Sequence, residues 1–151
     1  MKDSQATGNY YNIAAVSMIT GLTDRTIRNY IASGLLTGEK INGLWHFTPE
    51  QVEVFLADPA VYPSIRAKNN AMVYDFMSDG KKPNHQACII LDLPGDDRKT
   101  VAEFFCYAIN NGDFRNLRFS LDAVKSEPRV ILTGDTEQIL ALVNQYYEQR
   151  R

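Results

Sequence analysis

The stretch Ile19-Thr20-Gly21-Leu22-Thr23-Asp24-Arg25-Thr26-Ile27-Arg28-Asn29-Tyr30-Ile31-Ala32-Ser33-Gly34-Leu35-Leu36 decides the fold. Gly21 stands where a left-handed residue ends a helix, and Thr23 can accept from the first free N–H groups of the next one. That second helix, over residues 24–33, buries Ile27, Tyr30 and Ile31 as one stripe and closes at Gly34. Working backwards, Ile13, Val16 and Ile19 suit a short first helix that Asn12 can cap. Two short helices joined across Gly21-Leu22-Thr23 are the sequence form of a helix-turn-helix.

Working forwards, Asn42-Gly43 is a tight-hairpin signal, since both residues tolerate positive φ. Its flanks, Lys40-Ile41 and Leu44-Trp45, read as two short strands forming a wing. Thr48-Pro49-Glu50-Gln51 opens a third helix with a cap, a first-turn proline and an early acid, and Val52, Phe55 and Leu56 give it a buried side. Asp58-Pro59 and Tyr62-Pro63 break the pattern. Residues 9–58 are therefore read as a winged helix-turn-helix and 59–69 as a linker, with Asn70 capping a helix that carries Met72, Val73 and Phe76 and ends at Gly80.

The remainder has its own order. Residues 87–93 are a continuous apolar run, which suits a strand covered on both faces. Val101, Phe104, Phe105, Ala108 and Ile109 recur at helical spacing. Leu117, Phe119 and Leu121 alternate with polar residues, and 129–133 form the other half of a hairpin. Asp135 can cap a last helix, with Gln138 at the reciprocal position. The expected fold class is α+β: a winged helix-turn-helix followed by a small β-α-β-β-α unit, 70–151, like a truncated ferredoxin-like sandwich. Such a unit suits dimerisation or effector binding.

Composition bounds the function. With 44% apolar and 23% charged residues the chain has the balance of a soluble globular protein, and it lacks both a membrane-length apolar run and an N-terminal secretory pattern. A cytoplasmic location is expected. Residues 1–68 hold six Lys or Arg and six Asp or Glu, a neutral balance that limits non-specific affinity for a polyanion. Cys88 and Cys106 lack metal spacing and are expected to be buried free thiols; His46 and His85 are isolated, so no metal site and no cofactor are expected. Asp92, Asp96 and Asp97 cluster before a helix, where capping explains them better than catalysis, and the chain is not expected to be an enzyme. Tyr107, Phe114, Tyr146 and Tyr147 are read as core, with an interface or a ligand pocket as the alternative.

Six segments in order resemble the DNA-binding domain of the MerR family of transcription regulators. They are Tyr11-Asn12-Ile13-Ala14-Ala15-Val16, Gly21-Leu22-Thr23, Thr26-Ile27-Arg28-Asn29-Tyr30, Gly34-Leu35-Leu36, Asn42-Gly43 and Pro49-Glu50-Gln51-Val52. The resemblance covers about a third of the chain and implies binding to double-stranded DNA. It assigns Arg28 to a phosphate clamp and Tyr30 to a place near the backbone. Arg25, Thr26 and Asn29, off the apolar stripe, would face bases from the major groove, with Thr23 at the helix start. Lys40 and Asn42 of the wing would brace the neighbouring strand. Where the family has an aromatic and then a basic residue after Asn-Gly, this chain has Leu44-Trp45-His46, and nothing beyond Pro59 has the heptads of the family's dimerising helix.

The expected function is sequence-specific binding of double-stranded DNA by a transcription regulator that dimerises through residues 70–151, with an unidentified small-molecule effector as a further partner. Two other readings stand beside it: an excisionase-like accessory factor of a mobile element, and a winged-helix protein-interaction module without DNA.

Overall fold

The computed structural model describes residues 10–112, 114–124 and 127–150, without the side chains of residues 123 and 124. Helix α1 (Ile13–Thr20) starts at Asn12, whose side chain accepts from the Ala15 N–H at 2.9 Å, and ends at Gly21 in the left-handed region, φ 78°. Helix α2 (Asp24–Ala32) is capped by Thr23, which accepts from the Thr26 N–H at 3.2 Å. Strands β1 (Glu39–Ile41) and β2 (Leu44–His46) pair antiparallel across Asn42-Gly43, at φ 51° and 80°. Both values are positive, as the tight hairpin turn requires. Helix α3 (Pro49–Ala57) carries a full capping box, Thr48 and Gln51 each bonding the other's backbone N–H. Tyr11 and Phe47 exchange both backbone hydrogen bonds, at 2.7 and 2.8 Å, and tie the start of the described chain to the hairpin.

Helix α4 (Tyr62–Ser78) departs from the sequence expectation. It begins eight residues before Asn70 and takes up most of the stretch 59–69 that reads as a linker. The physical reason is Pro63, which lies in the first turn, where a missing N–H costs nothing and a fixed φ favours the helix. Pro63 starts this helix instead of breaking it. Asn69, just ahead of the supposed cap, is 1% exposed.

Beyond it come β3 (Gln86–Asp92), α5 (Arg98–Asn111), β4 (Leu117–Val124), β5 (Glu127–Asp135) and α6 (Thr136–Arg150). The three strands form one antiparallel sheet in the order β3-β5-β4, so β5 lies between two strands that it opposes. The register sorts the residues by face. Ile89, Leu132 and Phe119 are cross-strand partners on the face packed by α5 and α6, where the Phe105 and Phe119 rings stack 5.4 Å apart. Ile90, Ile131 and Ser120 point to the other face, which α1 covers over β4 and α4 over β4 and β5. Ile90 is left 48% exposed, so the β3 run is covered on one face only, not on both.

One continuous apolar core joins the two parts of the chain. It runs from Val16, Ile19, Leu36 and Phe55 to Ile65, Phe105, Phe119, Leu132 and Leu142 without a gap. Burying each such side chain stabilises the fold by about 1.5–3 kcal/mol. Ion pairs seal the same seam: the Arg98 guanidinium forks onto the Glu53 carboxylate at 2.6 and 3.0 Å, and Lys99 lies 3.6 Å from Glu50.

Candidate nucleic-acid interface

The turn before α2 is held more tightly than its sequence suggests. The Ser17 hydroxyl donates to the Leu22 carbonyl; the Thr20 hydroxyl donates to Val16 O at 2.8 Å and accepts from the Leu22 N–H at 3.1 Å. Two small hydroxyl side chains thus bond both backbone groups of Leu22, the middle residue of the turn. Sequence reasoning passes over Ser17 and Thr20; their place in the last turn before Gly21 is the signal that could have found them. The turn fixes the angle between α1 and α2, with Ile27 fully buried beneath.

Arg25, Arg28 and Asn29 sit at helical spacing on one face of α2, and all three are exposed. Neither arginine is in an ion pair among the described residues. The Thr23 hydroxyl donates to Thr26 Oγ1 at 3.0 Å, so these two threonines spend part of their bonding capacity on each other. Tyr30 is half-buried, its ring edge-on to Phe55 at 5.4 Å. It anchors α2 to α3, and its ring belongs with the core. On the hairpin Asn42 is exposed at the tip, and the Lys40 ammonium lies 5.7 Å from the centre of the Trp45 ring. Trp45 itself folds back and stacks on Phe47. The structure therefore brings Thr23, Arg25, Thr26, Arg28 and Asn29 together on α2, sets Lys40 and Asn42 apart on the hairpin, and turns Tyr30 inward.

The aspartates of the β3–α5 loop have structural partners. Asp97 caps α5, accepting from the Thr100 N–H at 3.0 Å. Asp96 instead receives the Arg150 guanidinium and the Tyr146 hydroxyl, and Asp92 receives Arg129 at 2.6 Å. The arginines hold both carboxyls below their ordinary range, Arg150 acting on Asp96 and Arg129 on Asp92. Tyr146 is pushed up by burial and by its bond to Asp96. Asp135 accepts from the Gln138 N–H at 3.1 Å as expected, but the Gln138 side chain accepts from the Asn116 N–H rather than reciprocating. Cys106 is buried, and burial raises its thiol; Cys88 is only half-buried, contrary to expectation, because it lies on the less covered face of the edge strand β3.

No group of three or more His, Cys, Asp or Glu side chains that could hold a metal occurs among the described residues. No helix among them is long and apolar enough to cross a membrane. No curated protein and no solved structure matches the chain. Residues 11–57, from the Tyr11 bridge to the end of α3, match the family model of the MerR HTH family regulatory proteins, a match that points to DNA-binding transcription regulation.

Proposed function

We propose that the chain is a sequence-specific regulator of transcription that inserts α2 into the major groove of double-stranded DNA and acts as a homodimer. The observation that carries this reading is the exposed Arg25–Arg28–Asn29 face, free of ion pairs among the described residues and held on a rigid turn within the segment that matches the family. Arg28 clamps a phosphate; Arg25, Asn29 and Thr26 face base edges. The β1–β2 hairpin serves as the wing, with Asn42 and Lys40 against the neighbouring backbone. Tyr30 acts indirectly, by fixing α2 on Phe55.

The neutral balance of the reading head is less of an obstacle than its composition suggests. Glu50 and Glu53, two of its acids, are turned toward Lys99 and Arg98 of α5. Their charge is met by cations of α5, while of the six cations in the same stretch Arg66 alone meets a carboxylate among the described residues, that of Asp122.

Residues beyond α3 serve assembly in this proposal. The order β3-β5-β4, with β5 inserted between β3 and β4, supports a truncated ferredoxin-like unit. β3 is an edge strand whose inner run, Ala87 to Leu91, has no charge and no proline to discourage pairing, and Ile90 is half exposed beside it. A second copy of the chain, paired along β3, would cover both.

The test is binding to a random-sequence duplex across a salt series. A regulator of this kind weakens steeply as salt rises, and Arg28→Ala makes the slope shallower by about one unit per lost phosphate contact. Absence of measurable binding at low salt overturns the DNA reading in favour of a protein-interaction module. A footprint on tandem rather than inverted sites favours an excisionase-like factor.

A further inference from the structure

A cleft of about 400 Å³ opens beside the turn that precedes α2. Ser17 and Gly21 form its wall on the helix-turn-helix side; Lys68 of α4 and Arg118 of β4 form the other. Lys68 stands against the turn itself, since a Cβ placed on Gly21 would lie 3.5 Å from the Lys68 Cβ. The cleft continues into a second one of about 380 Å³, which shares Asp75 and Arg118 with it and adds Arg115. Lys68, Arg115 and Arg118 are all exposed, and none is in an ion pair among the described residues. Five other cations of the second half, Arg66, Arg98, Lys99, Arg129 and Arg150, each face a carboxylate, and Lys82 lies over the Phe76 ring.

We infer that this groove is an auxiliary phosphate track, in which Lys68 and Arg118 receive the DNA backbone flanking the major groove entered by α2. The inference rests on the DNA reading proposed above and assigns a contact role to residues outside the matched segment. Two observations favour a duplex backbone over a compact ligand. The groove is open to solvent with Lys68, Arg118 and Arg115 along its lining, and it starts at Gly21, in the turn that leads into α2. Lysine and arginine contacts to phosphate carry position rather than sequence, so the track adds affinity without changing which bases are read. Asp75, shared by both clefts, and Asp79, in the second, are the acids that oppose such a track.

The experiment measures binding of the full chain to a random-sequence duplex by fluorescence anisotropy across a KCl series, for the parent, Arg28→Ala, Lys68→Ala, Arg118→Ala, Lys68→Arg and Asp75→Asn. Lys68→Ala and Arg118→Ala are each expected to lower the slope of log K against log[salt] by about one unit, as one released phosphate does. Lys68→Arg keeps the parent slope, and Asp75→Asn binds tighter by several-fold. These exposed positions leave the melting temperature unchanged, which separates lost contact from lost fold. If the parent binds and Arg28→Ala weakens it while the Lys68 and Arg118 variants keep the parent slope, the track is overturned and the DNA reading stands; the cleft is then free for a small anion. If the parent does not bind at low salt, the DNA reading fails, and the track with it.

Discussion

Helices α2 and α5 each carry two cations, and the structure treats them in opposite ways. Arg98 and Lys99 stand in the first turn of α5, where the helix dipole disfavours positive charge, and both are drawn to Glu53 and Glu50 of α3. Arg25 and Arg28 of α2 are exposed to solvent and pair with no carboxylate among the described residues. Cations that hold the fold find a partner within the chain. Those left open at a rigid, exposed helix are available to a partner outside it. The same contrast separates Lys68 and Arg118 from Arg129 and Arg150 in the second half of the molecule.

The largest expected effect breaks what the two regions share. Phe105 is fully buried between Phe119 and Tyr146, so Phe105→Ala should cost about 3–5 kcal/mol. Because the core is continuous, Trp45 fluorescence and far-UV circular dichroism should follow one denaturation curve in the parent and in the variant. Separate transitions would show the helix-turn-helix and the sheet to be independent units. Next comes the seam. Glu53→Ala leaves the part-buried Arg98 fork unpaired and should cost about 1–3 kcal/mol, with Arg98→Ala non-additive in a double-mutant cycle.

A smaller effect concerns acid. Asp96 and Asp92 have folded-state carboxyls held below their ordinary range by Arg150 and Arg129. Their contribution to stability is therefore present above the unfolded carboxylate value of about 3.9 and is lost as pH falls below it. Asp96→Asn should flatten the acid limb of a melting-temperature profile and leave its shape near neutrality unchanged. The smallest effect is the most telling for the comparison. Arg25→Ala and Arg28→Ala should alter stability by no more than about 0.5 kcal/mol, since neither side chain has an ion-pair partner to lose among the described residues.

Much of the segment from Asn12 to α3 is legible in the sequence because its signals are local. Asn12, Thr23 and Thr48 cap, Gly21 and Asn42-Gly43 take positive φ, and each acts within three or four residues of itself. The start of α4 is not legible, because a proline pair looks the same whether it ends one helix or opens another. The residues after Pro63 decide between the two, and Ile65, Asn69 and Met72 show their helical spacing only once they are buried against the sheet. Pairing across the chain leaves no local trace at all. Nothing near Glu53 announces Arg98, 45 residues away, and nothing near Ser120 announces Asn69 or the end of α1, to which its hydroxyl is bonded. Of the candidate interface, sequence identifies Arg25, Arg28 and Asn29 on the outer face of α2 and puts Tyr30 in its apolar stripe, but leaves Phe55, on which the Tyr30 ring packs, unannounced.

Selection from a randomised duplex library, with sequencing of the bound pool, tests the central claim most directly. If the outer face of α2 reads bases, the parent chain enriches one discrete motif arranged as an inverted repeat, and the stable Arg25→Ala/Arg28→Ala variant enriches none. A parent pool indistinguishable from the input library, with the protein folded throughout, would contradict the account.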